Sequence, residues 1–265
     1  MNIKKLAFII SIVFTLLLYA LISKLSAGNQ TITMICFLVL VVVLRIILFV
    51  VEVFDFNKST YHQSTNNSYF ATRNDKGKYG EYLIFKQLKH LEAKGCKFLF
   101  NVYLPKDNGE TTEIDVMLIA SKGIVVFESK NYSGWIFGNE KYKNWTQTLP
   151  QGKGKSLKEH FFNPIMQNNL HIKCLKNIIG EDYPIHSIIA FSERCTLKDI
   201  KIYSQNIQVI KRNDIDTAIA KIFNPIENPL ISDDEIKRLY ELLYPYSQVS
   251  EQVKQEHIEN IKNNH

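Results

Sequence analysis

The hydrophobic pattern divides the chain before any composition is considered. Residues 6–22 are almost unbroken apolar sequence, and residues 32–54 form a second such run, interrupted by Arg45 and Glu52. Each is about long enough to cross a hydrocarbon core of ~30 Å. The nine positions between them, 23–31, are mostly polar, so the pattern predicts a two-helix transmembrane hairpin over residues 1–56. Asn, Ser, Thr and Gln dominate residues 57–75, which read as a polar linker. From residue 76 the periodicity becomes that of a folded domain, which we bound at 76–246.

Within that domain, Tyr79, Leu83, Leu88 and Leu91 form a helical stripe over 76–94, with Gly95 as its stop. Residues 97–104 read as a strand, and 112–120 and 123–130 as two more around a Ser-Lys-Gly turn. Residues 134–145 are short, aromatic and turn-rich, and suggest one or two small strands. Asn163-Pro164 opens a helix to residue 179, with proline at a first-turn position and Gly180 after it. Residues 185–191 and 207–210 read as strands and 215–223 as a helix. Ser232-Asp233-Asp234-Glu235 is a capping box for a helix to about residue 244. The charged tail, 247–265, reads as a frayed helix or as disorder. This order predicts an α/β fold, a mixed sheet with helices on its faces.

Composition changes this picture little. The chain has 265 residues, is 46% hydrophobic and carries a formal charge of +6. That is enough apolar content for a core, with a mild positive excess that suits an anionic partner without requiring one. The cysteines at 36, 96, 174 and 195 form no CxxC pair, which excludes a zinc knuckle and a disulfide framework. Residues 151–155 are glycine-rich but lack the spacing of a phosphate-binding P-loop. There is no GxSxG elbow and no dinucleotide fingerprint. Charge also orients the anchor. Lys4 and Lys5 precede the first run, while Arg45, Lys58, Arg73 and Lys76 mark the far side of the second, and the connecting loop holds only Lys24. Both termini are therefore expected in the cytoplasm. A signal peptide ending at Leu25-Ser26-Ala27 is the competing reading, and the leucine argues against it.

Candidate chemistry concentrates at 113–130. With a two-residue turn at Ser121-Lys122, Asp115 falls opposite Glu128; moving the turn to Lys122-Gly123 puts it opposite Lys130. In either register, alternation places Glu113, Asp115, Glu128 and Lys130 on one face, and a one-residue slip would break that arrangement. Two adjacent carboxylates repel unless a positive charge intervenes. Mg²⁺ takes one or two carboxylates plus other oxygens, which matches Asp115, Glu128 and the backbone carbonyl of Ser129. Lys130 would orient a water or stabilise developing charge. The plainer reading of Glu128-x-Lys130 is a solvated ion pair at a strand edge.

The ordered set Gly77-Lys78-Tyr79-Gly80-Glu81, Glu113-Ile114-Asp115, Gly123 through Gly134, Trp145 and Asn163-Pro164-Ile165-Met166-Gln167 resembles the nuclease-related domain (NERD) over about residues 74–190. That domain is similar to the PD-(D/E)xK nuclease superfamily. The resemblance implies a restriction-endonuclease-like mixed sheet flanked by helices. It implies that Asp115, Glu128 and Lys130 are the D…ExK set, with Mg²⁺ or Mn²⁺ on the acids. Glu81 matches the acid of the first helix and Gln167 the glutamine of RecB-like nucleases. His171, one turn further on, departs from the tyrosine common there and is left outside the catalytic set. Trp135 and Trp145 match aromatic positions and are expected to pack. The lysines at 141, 143, 153, 155 and 158, with Tyr142 and Trp145 among them, either track a phosphate backbone or belong to a solvated loop.

Two functions follow as expectations. The first is a membrane-anchored, metal-dependent nuclease acting on DNA at the cytoplasmic face, held in the bilayer through residues 6–22 and 32–54. The second is a catalytically silent nuclease-like module that binds nucleic acid or protein partners at the membrane.

Overall fold

The computed structural model describes residues 16–24, 29–152 and 154–263. It forms two compact units, Met1–Lys58 and Ser59–His265.

In the first unit, residues 16–24 are helical and helix α1 spans Gln30–Asn57. The Asn29 side chain caps α1 by accepting from the Ile32 N–H at 3.2 Å. Its 28 residues span ~42 Å at 1.5 Å each. Among the described residues, α1 is the one helix long and apolar enough to cross a membrane. A signal sequence meets the same criterion. Most of the first apolar run lies outside the described residues, and among those described there is one candidate span, not two. The end of that run does reach α1, where Tyr19 meets Phe37 edge to face at 5.6 Å.

The second unit is a mixed α/β fold with two mixed sheets. The first has strand order β1-β2-β3-β7-β9 and the second β6-β5-β4-β8. The strands are β1 Lys97–Pro105, β2 Thr111–Ala120, β3 Gly123–Lys130, β4 Gly134–Asn139, β5 Asn144–Pro150, β6 Ser156–Phe162, β7 Ile185–Phe191, β8 Cys195–Lys201 and β9 Ile207–Lys211. Helices follow the expected stops. α4 (Lys76–Leu88) is capped by Asp75, which accepts from the Gly77 and Lys78 N–H groups. It runs on through a 3₁₀ turn to Gly95 at φ 84°. α5 is Pro164–Ile179, α6 Ile215–Phe223 and α7 Asp233–Ser247, the last capped by Ser232. The polar residues of 57–75 are caps rather than slack chain. Ser59 and Ser68 begin short helices α2 (Thr60–Thr65) and α3 (Tyr69–Asn74), and Tyr61 is buried against Tyr82 and Phe100.

The central strand β3 pairs with β2 on one side and with parallel β7 on the other. That position explains its unbroken apolar run, because a strand covered on both faces has no polar alternation to keep. On one face, Leu99, Met117, Ile119 and Val126 pack against α5 and α7 through Leu175 and Leu239. On the other, Phe98 and Phe100 meet Phe85 of α4 edge to face at 5.2 and 5.3 Å. The second sheet closes on Trp145, which stacks on Phe191 at 6.1 Å with 5° between planes.

The single expected sheet is thus two, because β6 and β8 escaped the periodicity. Almost every residue of β6 is exposed, and β8 alternates weakly. The tail, open between helix and disorder, forms α8 (Glu251–Asn263).

Candidate functional site

Ala120 pairs with Gly123 across a two-residue turn at Ser121-Lys122, so the register is the one that counts Asp115 opposite Glu128. The ladder stops one pair short, at Val116–Phe127. In β1 the Val102–Ile114 and Phe100–Val116 pairs form, but the pair between them, Asn101 with Asp115, does not. Asn101 sits at φ 50°, a left-handed conformation that asparagine tolerates better than most residues. Alternation slips here. The residues packed on the α5 side are Leu99 then Val102 in β1, and Met117 then Ile114 in β2. The pairing register is the same before and after this point, so both strands turn their following side chains over together. The expectation that Glu113 shares a face with Glu128 and Lys130 is therefore corrected in part: Glu113 turns to Asn101 on the α4 side, yet it still lines an opening with Asp115 and Lys130.

Asp115 stands at the slip, between two groups. Glu128 is 1% exposed. Its Oε1 lies 2.6 Å from Lys130 Nζ and its Oε2 3.0 Å from His171 Nε2. Lys130 Nζ also donates to Gln167 Oε1 at 2.9 Å, and His171 Nδ1 meets Thr112 Oγ1 at 2.6 Å. Gln167 and His171 are four residues apart on α5, hence on one face. On the α4 side, buried Glu81 takes hydrogen bonds from Tyr61 Oη and Asn101 Nδ2, both at 3.3 Å, and Asn101 also donates to Glu113 at 3.0 Å. Asp115 Oδ2 accepts from the Ser129 N–H at 2.7 Å. The Lys130 carbonyl is taken by Ser192 N–H at 2.8 Å. Strand alternation then turns the Ser129 carbonyl the other way, toward β2. The structure thus brings Asp115, Glu128, Ser129, Lys130 and Gln167 together at one strand end, with Glu81 behind them.

The electrostatics are unequal. Desolvation in the cleft, then Glu128 and Glu81, push the Asp115 carboxyl well above its usual range, against the pull of Lys130 and the Ser129 N–H. Burial alone would also raise Glu128, but Lys130 and His171 outweigh it and hold that carboxyl down. Glu81 is raised to about 8, by burial first and by Glu113 second. Lys130 gains more from Glu128 and Asp115 than burial costs it, so its ammonium is favoured.

Two openings reach this site. One, of about 400 Å³, is lined by Asp115, Lys130, Gln167 and His171, and by His257 and Ile261 of α8. The other, of about 720 Å³, is lined by Lys130, Tyr132, Lys143, His160, Phe162 and Gln167. His257 of α8 anchors that helix beside the site through Thr111, at 3.0 Å to its hydroxyl.

Among the described residues no three His, Cys, Asp or Glu side chains converge as a ready-made metal cage. The donor set is the sparser one that Mg²⁺ takes, two carboxylates and backbone oxygen. The unbalanced repulsion around Asp115 is what a divalent cation would offset, so the residues fit such an ion.

Three contributors were not found from sequence. His171 departs from the tyrosine expected at its spacing, although its position four residues after Gln167 places it on the same face. Asn101 gives no signal, because a break in alternation set by one backbone conformation leaves no period. Asn163 appeared only as a helix opener. It is fully buried, caps α5, and donates to the Glu140 and Tyr142 carbonyls at 2.9 and 2.8 Å, which fixes α5 to the β4–β5 turn.

Comparison with known proteins agrees with the sequence resemblance. Residues 76–192 match the family described as nuclease-related domain. An uncharacterised protein of Bacillus anthracis is 32% identical over 188 residues, 71% of this chain and 84% of that protein. No solved structure gives a significant match.

Proposed function

Because the chain belongs to the nuclease-related domain family, we propose that it is a membrane-anchored, metal-dependent nuclease that hydrolyses phosphodiester bonds in DNA at the cytoplasmic face of a membrane. The observation that carries this reading is Asp115. It is a carboxylate held against Glu128 and Glu81, fixed by the Ser129 N–H, and opening onto a cleft lined by Lys130 and Gln167. A structural ion pair needs no second and third acid beside it.

Asp115, Glu128 and the Ser129 carbonyl would hold Mg²⁺ or Mn²⁺, which supplies Lewis acidity toward a phosphoryl oxygen. Lys130 is kept protonated by the two acids and places an ammonium where charge develops on the phosphate. Gln167 holds Lys130 in that position through its Oε1. Glu81, protonated near neutral pH, steadies the acid side of the cleft through Asn101 and Tyr61. On this reading the five-stranded sheet with α4 and α5 on its faces is the restriction-endonuclease-like core, and α1 with the run before it is a transmembrane hairpin. The Tyr19–Phe37 contact supports that hairpin.

One observation favours the second reading, a catalytically silent module that binds nucleic acid or protein partners. Both Glu128 oxygens are engaged within the protein, by Lys130 and His171, so the pair is neutralised without an ion. Cleavage separates the two. The full-length protein in detergent is incubated with linear and circular DNA and Mg²⁺ or Mn²⁺. The nuclease reading expects cutting that Glu128→Gln abolishes. Equal cutting by both proteins would refute a catalytic role for Glu128, and no cutting with either ion leaves the binding module.

A further inference from the structure

Apart from His160, the solvent face of the four-stranded sheet takes no part in the site described above. On β4, Ile136 is fully buried, while Trp135 and Phe137 on either side of it are 44% and 36% exposed. Their cross-strand neighbours continue the face. Trp135 pairs with Thr148 and Thr148 with Lys158, and Phe137 pairs with Thr146 and Thr146 with His160. On the other flank Trp135 pairs with Thr196 of β8, where a register shift leaves Lys198 out of the ladder. Lys198 Nζ lies 5.2 Å from the Trp135 ring centroid. Asp199 is the acid on this face, beside Phe137. His160 belongs to two surfaces, since it also lines the 720 Å³ opening that contains Lys130 and Gln167.

We propose that this face binds single-stranded nucleic acid, with bases stacked on Trp135 and Phe137 and phosphates drawn to Lys158 and Lys198. Two exposed rings two residues apart on one strand are spaced for successive bases. Flanking cations supply the sequence-independent attraction that single strands require. Sheet-borne aromatics read unstacked bases, which a duplex does not offer. Between the rings and the edge strand Thr148 is buried, while half-buried Thr146 bonds the exposed His160, a polar pair that suits a nucleotide better than lipid tails. The route past His160 leads toward Lys130. This goes beyond the nuclease reading: the surface binds whether or not the acidic site cuts.

The chain has two tryptophans, and Trp145 is 1% exposed, so quenching of tryptophan fluorescence by a ligand reports Trp135. The full-length protein in detergent with EDTA is titrated with a short oligothymidylate, with a duplex of equal length and with phosphatidylserine vesicles. The oligothymidylate is expected to quench Trp135 and to bind in a salt-dependent way. Trp135→Ala, which lacks the reporting ring and is followed by the anisotropy of a fluorescein-labelled oligothymidylate, should weaken binding about tenfold or more with an unchanged melting temperature. Lys158→Glu with Lys198→Glu should weaken it and flatten the salt dependence. Glu128→Gln should bind as wild type, which separates this surface from the cleavage reading. Wild-type affinity in both Trp135→Ala and the charge reversals would overturn the proposal. So would equal quenching by the duplex, or quenching by vesicles and not by the oligonucleotide.

Discussion

At the scale of single residues, Glu128 is held from two sides, and the two holds differ in kind. Lys130 neutralises it and opens onto the cleft, whereas His171 is buried and fixed in turn by Thr112. A histidine that orients a ligand carboxylate in this way acts as a positioning residue, and losing such partners costs 10–100-fold in metal affinity or activity. His171→Ala should therefore lower Mn²⁺ affinity by about 10-fold or more, and His171→Gln, which keeps a donor, should recover part of it in the same titration. Glu81 sets a second expectation. Its folded carboxyl is raised to about 8 from an ordinary 4.5, so between those values the folded protein binds more protons than the unfolded chain. Stability must then fall as pH rises through that window. Melting temperatures across it should decline for wild type and decline less for Glu81→Gln, with Asp115 leaving a residual slope of the same sign.

At the scale of elements, the approach of α4 to β3 decides whether Glu81 reaches the site. A Cβ added at Gly80 would lie 2.5 Å from Ser129 Oγ, closer than any packed contact. That hydroxyl is buried without a hydrogen-bond partner. Gly80→Ala should destabilise by about 1–3 kcal/mol through overpacking, and Ser129→Ala in the same chain should relieve much of it, as a double-mutant cycle of melting data will show. The elements that carry the site were legible because their patterns are strong. β3 is a continuous apolar run, its turn is two residues, and α5 begins at Asn-Pro and ends at Gly180. β6 and β8 were not legible, because edge strands hide few apolar residues. The slip at Asn101 was not legible either, because it depends on one backbone conformation, and it alone moved Glu113 to the other face. α8 has a tail-like composition and is ordered at its centre by burial of His257 against Thr111 and Tyr103.

At the scale of the molecule, the chain joins an apolar helix of 28 residues to a folded unit whose acidic cleft and aromatic face are both proposed to take nucleic acid. If α1 spans a bilayer, the full-length protein should stay with membranes after alkaline carbonate washing and leave only with detergent. Recovery in the carbonate wash would contradict the anchor. Within the folded unit, Asp115 and Glu128 are proposed to be set against each other so as to share a divalent ion. Calorimetric titration of the full-length protein with Mn²⁺ tests it most directly. Binding should be accompanied by proton release, because Asp115 must ionise to take the metal, and affinity should fall at least tenfold in Asp115→Asn and in Glu128→Gln. Wild-type protein that binds no Mn²⁺, or variants that bind it equally well, would contradict the account.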